Sequence, residues 1–160
     1  VANFTKKQYV VSVSLDNVGN GTVTGNGTYG CDTTTNVTAT PASCYNFTKW
    51  TENGITVSTN ANYTFTVTYS RNLLAMFEPK RYNITLVANP TNGGTVAGAG
   101  NFVCDSSLTV KAKVKMGYKF TNWTEGSTVV STDSNYTFLI SGVRSLKANF
   151  SLVTGITIHH

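Results

Sequence analysis

The sequence predicts an all-β protein made of two tandem small β-rich modules, end to end, each with about six mainly antiparallel strands. Three observations carry that expectation: an internal repeat, a period-two alternation of apolar and polar residues, and a composition of strand and turn formers. Shifting the chain against itself by 73 positions gives 27 identities among the 69 pairs from Tyr9/Tyr82 to Phe77/Phe150, with no gap. Self-similarity of this kind marks a repeat architecture, in which each copy is one structural unit. No stretch keeps helical spacing, and Thr, Ser, Asn and Gly dominate while Pro is limited to Pro41, Pro79 and Pro90. Such residues favour strands and tight turns.

The elements follow in order. Tyr9, Val11, Val13 and Leu15 alternate with Val10, Ser12 and Ser14, and in the second copy Ile84, Leu86 and Ala88 alternate with Thr85 and Val87, so a half-buried strand opens each repeat. Turn signals at Asn20-Gly21 and Asn92-Gly93-Gly94 lead into a strand through Thr22-Val23-Thr24 or Thr95-Val96-Ala97. Gly25, Gly27, Gly98 and Gly100 lie inside or just after it and leave room for a close neighbour or a bulge. A hairpin is expected near Asp32 and Asp105. The third strand is Asn36 to Thr40 or Leu108 to Val114, the fourth Tyr45 to Thr51 or Tyr118 to Thr124, the fifth Tyr63 to Thr68 or Tyr136 to Ile140, and the sixth Leu73 to Phe77 or Leu146 to Phe150.

Repeat 1 is thus expected over 9–80 and repeat 2 over 81–152. The same offset sets Val1-Ala2-Asn3-Phe4 on Leu74-Ala75-Met76-Phe77, so residues 1–8 read as the last strand of a truncated upstream repeat with its linker. Residues 153–160 read as a tail or the start of a next unit, and His159 and His160 as a tag or cut edge, not as metal ligands.

Gly-Gly-Thr-Val near the start, Gly117-Tyr118-x-Phe120-x-x-Trp123-x-x-Gly126 in the middle and a closing Leu-x-Ala-x-Phe resemble the divergent internalin B-repeat, or Listeria-Bacteroides repeat, family. The resemblance covers nearly the whole chain. In repeat 1 Cys44 stands in place of the motif glycine and Asn20 in place of the first paired glycine, which makes that copy the more divergent. The resemblance implies a β-grasp-like module or small β-roll, strung in tandem on extracellular, cell-surface or secreted bacterial proteins as a spacer or stalk presenting other domains. It implies no enzyme. An adhesive module that binds carbohydrate or an anionic polymer is the alternative.

Composition narrows the remaining choices. With 40% hydrophobic and 11% aromatic residues the chain has the apolar area to fold, and no apolar run is long enough to span a membrane. The net charge of +5 is uneven: residues 9–81 balance at zero and residues 82–154 carry +3, with Lys6 and Lys7 adding the rest, so no basic function belongs to the module as such. Three cysteines cannot pair completely within one chain. Free thiols are expected, with a Cys31–Cys44 disulfide as the alternative.

The only histidines are the last two residues, which removes the commonest general base. Glu52, Glu125, Asp32 and Asp105 recur once per repeat and read as turn or strand-end residues. No lysine recurs at an aligned position, which argues against a Lys–Asn isopeptide bond at Glu52 or Glu125. No catalytic, cofactor-binding or metal site is expected. Tyr45, Phe47 and Trp50, with Tyr118, Phe120 and Trp123, form the structural motif, and core packing of the tryptophans is favoured over a sugar-stacking role. Tyr45 and Phe47 are odd-numbered and Trp50 even, so a bulge or twist must intervene if all three face inward. Lys111, Lys113 and Lys115 alternate with apolar residues, and Lys119 follows. They are the candidate contact for glycan or an anionic wall polymer, weighed against a solvated face that protects a sheet edge. Otherwise the chain is expected to be a monomer whose partners are neighbouring repeats, with no nucleic acid. The ten Asn-x-Ser/Thr sequences are attributed to a Thr-rich composition.

Overall fold

The computed structural model describes residues 1–155; the expectations for 156–160, His159 and His160 among them, fall outside the described residues. Among the described residues every regular element is a strand, and no helix is long and apolar enough to cross a membrane. The chain divides into two compact units, Val1–Lys80 and a second that begins at Arg81. Val1 to Lys7 precede the first strand and are exposed.

Among the described residues each unit has eight strands where six were expected. Unit 1 comprises β1 (Gln8–Leu15), β2 (Gly21–Thr24), β3 (Gly27–Gly30), β4 (Thr33–Pro41), β5 (Tyr45–Glu52), β6 (Ile55–Ser58), β7 (Asn62–Val67) and β8 (Arg71–Pro79). Unit 2 comprises β9 (Arg81–Asn89), β10 (Gly94–Ala97), β11 (Gly100–Val103), β12 (Ser107–Val114), β13 (Tyr118–Glu125), β14 (Thr128–Ser131), β15 (Asn135–Leu139) and β16 (Arg144–Leu152). Within unit 1 a five-stranded sheet runs β3-β1-β8-β5-β6 and a three-stranded sheet β2-β4-β7. Unit 2 repeats this as β11-β9-β16-β13-β14 and β10-β12-β15. All pairs are antiparallel except first with last, β1 with β8 and β9 with β16, which are parallel. That central parallel pair suits the β-grasp-like expectation, with a second sheet in place of a helix over its face.

The two additional strands have separate causes. The glycine-rich segment is two short strands in different sheets, and the chain crosses between layers at Gly25 (φ 114°) and Gly98 (φ 113°). A Cβ on Gly25 would lie 2.8 Å from the Asn36 carbonyl oxygen, so both the left-handed backbone and the close approach require glycine. The turn at Asp32 and Asp105 (φ 63° each) closes no hairpin. It hands the chain from the large sheet to the small one, and Asp32 N donates to the Val67 carbonyl at 2.8 Å and Asp105 N to Ile140 at 2.7 Å. The other added strand is the partner in a true hairpin: Asn53 and Gly54 both take positive φ, 51° and 80°, as a two-residue loop between β5 and β6 demands.

A one-residue bulge sets the core. Along β5 Phe47 faces Phe77 and Lys49 faces Met76, leaving Thr48 as the inserted residue, and β13 repeats the shift between Phe120 and Asn122. The insertion reverses side-chain parity, so Phe47 and Trp50 both turn inward with ring centroids 5.8 Å apart, and Phe120 and Trp123 do so at 6.1 Å. Both tryptophans are fully buried, among Val11, Val37, Val67, Leu73 and Ala75 in unit 1 and Val110, Leu146, Ala148 and Phe150 in unit 2. Their indole N–H groups are satisfied by the Ala61 and Ser134 carbonyls, each at 3.2 Å.

Trp50→Ala should destabilise unit 1 by about 3–5 kcal/mol, the usual loss for a buried aromatic, and leave Trp123 as the one fluorophore of its kind. Urea titration followed by Trp123 emission should then keep its midpoint while circular dichroism shows an earlier transition. A Trp123 midpoint that moves with the mutation would show that the two units do not fold independently.

Candidate functional site

The lysines do not form one patch. Lys111 and Lys113 project outward from β12, exposed, as the alternation requires. Yet β12 is the middle strand of its sheet: Lys113 stands opposite Thr95 of β10, and Lys111 opposite Ala97 of β10 and Asn135 of β15. At Lys111 both sides of β12 are paired, so the edge-protection reading does not apply there, whereas Lys113 has a ladder partner on the β10 side only. Lys115 lies in the turn before β13, where its carbonyl accepts Tyr118 N at 3.1 Å. Lys119 lies on β13 between Tyr118 and Phe120, which pack inward, so it emerges from the outer face of the other sheet. Lys111 and Lys113 share a face, and Lys119 stands on the opposite one.

The aromatic motif residues all belong to the interior. Tyr45 and Phe47 pack around Trp50, and Tyr118 and Phe120 around Trp123. With both tryptophans at 0% exposure, neither indole presents a face to a sugar ring.

The recurring glutamates have partners that reading the sequence for lysine missed. Arg71, the first residue of β8 and 7% exposed, grips Glu52 at the end of β5 through both Nε and Nη2, the latter at 2.7 Å from Oε2. Its Nη1 donates to the Tyr63 hydroxyl at 3.1 Å, and the guanidinium lies 4.6 Å from the Phe65 ring centroid. Unit 2 copies the arrangement: Arg144 holds Glu125 at 2.8 Å and the Tyr136 hydroxyl at 3.2 Å, and stacks on Phe138 at 4.4 Å. Glutamate comes from the large sheet and the aromatics from the small one, so each arginine ties the two layers together where the sandwich would otherwise open. The planar, forked guanidinium suits this double engagement and an ammonium group would not. The signal was present, since Arg71 and Arg144 stand 73 positions apart just as Glu52 and Glu125 do.

These contacts set the charge states. Burial alone would lower the Arg71 pKa, but hydrogen bonds to Glu52 and Tyr63 outweigh it and hold the group above the ordinary arginine value. Arg144 is raised chiefly by its bond to Glu125, and Glu125 is lowered chiefly by the same bond. The Arg144–Glu125 pair is thereby held in the charged form. Both ion pairs are structural ties, not a poised acid and base.

One surface feature distinguishes unit 2. On the outer face of its large sheet Thr85, Val87, Gly126, Ser145, Leu146 and Lys147 line a depression of about 260 Å³. Pockets that enclose drug-sized ligands run from about 300 to 1,000 Å³, so this one suits a single small ring. The Thr85 and Ser145 hydroxyls bond each other at 2.8 Å. The equivalent positions in unit 1 place Ser14 for Val87 and Leu74 for Lys147, so the cation is absent there.

Among the cysteines, Cys31 is a free, half-buried thiol, in line with the expectation and against a Cys31–Cys44 bridge. Cys44 and Cys104 are not free, which corrects the expectation for those two positions. The Cys44 substitution leaves the turn before β5 closed: Tyr45 N reaches the Ala42 carbonyl at 3.0 Å without the positive φ that Gly117 adopts (88°).

The family model of the divergent InlB B-repeat domain matches the chain twice, over residues 11–81 and 84–154. No curated protein and no solved structure matches it.

Because the Glu125 pKa is depressed in the folded state, its contribution to stability is present above the unfolded carboxylate value and is lost as pH falls through the folded one. Glu125→Gln should therefore lower the urea midpoint of the Trp123 transition near neutral pH, and the gap to the parent protein should close below about pH 4. A gap that persists unchanged into acid would mean that the ion pair is not its source.

Proposed function

The chain belongs to the divergent InlB B-repeat domain family, and from that premise we propose that its two units serve as a non-catalytic spacer, a stalk segment that holds other domains of a bacterial surface or secreted protein at a distance. Repeats of this family are typical of such proteins and are generally non-catalytic. The observation that carries the reading is the path of the backbone. Each unit receives the chain at the start of its first strand and releases it at the end of its last, and the two strands lie side by side and parallel. The two ends therefore emerge from opposite ends of the sheet, separated by about 35 Å at roughly 3.3 Å per residue. A unit of this kind adds length to a chain, whereas one whose ends met would hang from it. The buried side chains agree: large apolar and aromatic residues fill each unit's own interior, and the buried ionisable Arg71 is neutralised by Glu52.

A second reading, an adhesive module for carbohydrate or an anionic polymer, is favoured by the cationic depression at Lys147 and by the paired Lys111 and Lys113 of unit 2. Hydroxyls beside an ammonium group and an exposed valine suit an acidic sugar ring, in which a carboxylate, hydroxyls and an apolar face recur together.

Two measurements separate the readings. On cells displaying arrays of increasing copy number, a labelled terminal domain should stand farther from the surface with each added copy; a height independent of copy number would overturn the spacer. Titrated with wall polymer and with acidic or neutral glycans at about 0.15 M salt, where exposed charges are largely screened, the chain should show no saturable binding. Saturable binding weakened by Lys147→Gln or by Lys111→Ser with Lys113→Ser would establish the adhesive reading.

A further inference from the structure

The topology of each unit also determines how it bears tension. In unit 1 the parallel pair runs from Val11 beside Arg71 to Leu15 beside Ala75, and in unit 2 from Ile84 beside Arg144 to Asn89 beside Asn149. Tension along the chain pulls the start of the first strand one way and the end of the last strand the other. For parallel neighbours that force acts along the strands, so the hydrogen bonds between them are strained together and must fail together. Antiparallel neighbours loaded at one end would part bond by bond.

Each strand of the pair is held a second time. β1 is flanked by β3 and β8 by β5, with β9 and β16 flanked in the same way by β11 and β13. Beneath the pair the buried side chains Val11, Val13, Leu73 and Ala75 in unit 1, and Ile84, Leu146 and Ala148 in unit 2, seal the inner face from water that would compete for the bonds. We propose that this parallel first–last pair is a load-bearing clamp, and that the units resist tension as folded bodies and do not pay out chain. The proposal takes its biological purpose from the spacer reading.

Unit 2 carries a reinforcement that unit 1 lacks. Thr85 and Ser145 link β9 to β16 at 2.8 Å, and Asn89 Nδ2 donates to Asn149 Oδ1 at 2.9 Å. Asn149 Nδ2 then donates to Asn122 Oδ1 at 2.8 Å and Thr124 Oγ1 at 3.0 Å on β13. Three adjacent strands are thereby laced by side chains as well as by backbone. Unit 1 places Met76 at the position of Asn149 and Asp16 at that of Asn89. There the ties across the pair are from side chain to backbone: Val10 N to Ser70 Oγ and Phe77 N to Asp16 Oδ2, each at 3.1 Å.

Single-molecule pulling of the full chain from its two termini, in a thiol reductant so that no cysteine cross-link limits extension, tests the clamp. Two unfolding events are expected, each releasing about 250 Å of chain at roughly 3.5 Å per residue. Asn149→Ala, at a half-buried surface position outside the hydrophobic core, should lower the force of one event and leave the other unchanged. Unit 1 pulled through azide-bearing residues in place of Asn46 and Glu78, which face each other across antiparallel β5 and β8, should yield at less than about half the force it bears when pulled from its ends, because forced unfolding follows the barrier along the direction pulled. Equal forces in the two geometries, or extension without distinct events, would overturn the clamp. Failure of the copy-number measurement would leave it standing and remove only its purpose.

Discussion

One inserted residue in β5 and in β13 governs the rest of each unit. Without Thr48 or Thr121 at the bulge, strict alternation would send Phe47 and Trp50 to opposite faces, and the largest side chain in the core would lie in water. A unit of about 70 residues buries a modest share of its surface and has little reserve against such a loss. With the bulge in place the indole fills the space between the sheets, its N–H meets a carbonyl beside β7 or β15, and the two layers gain a common centre. The arginine ties at Glu52 and Glu125 are a second junction between the same layers, made where the apolar core ends.

Much of this was legible in the amino-acid order because a repeat is its own internal control. The 73-residue offset located both units, alternation gave the inward face of the first strand of each, and the parity conflict between Phe47 and Trp50 called for the bulge. Pairing was less legible. Alternation tells which way a side chain points but not which sheet the strand joins, so the glycine run before Asp32 read as one strand and not as two in different layers. The Asn53-Gly54 pair was a readable hairpin signal that the longer Tyr45 pattern obscured. Lys111 and Lys113 do share a face of β12, but Lys115 falls in the turn beyond the strand, and the place of β12 in the middle of a sheet depends on partners distant in sequence. Arg71 and Arg144 were missed because isolated charges near strand ends look like surface residues until the stacking aromatics of a neighbouring strand are in view.

Comparison of the two units separates what the scaffold requires from what it tolerates. The tryptophan, the bulge, the layer-crossing glycine, the left-handed aspartate and the arginine tie are the same in both. The outer faces are not. Unit 1 carries Asp16 and Glu78 where unit 2 carries Asn89 and Ser151, and Leu74 where unit 2 has Lys147. Charge has therefore changed on surfaces that leave the core untouched, and most of the net positive charge falls in the second unit.

The pole-to-pole course of the chain has a consequence for heredity. Each unit closes its own hydrogen-bonded ladders between its first and last strands, so an in-frame duplication or deletion of one period cuts no ladder in the copies that remain. Unequal recombination between repeated coding segments can then alter the number of units in a lineage at little structural risk, and selection receives a protein whose reach varies in steps while its folding problem stays the same.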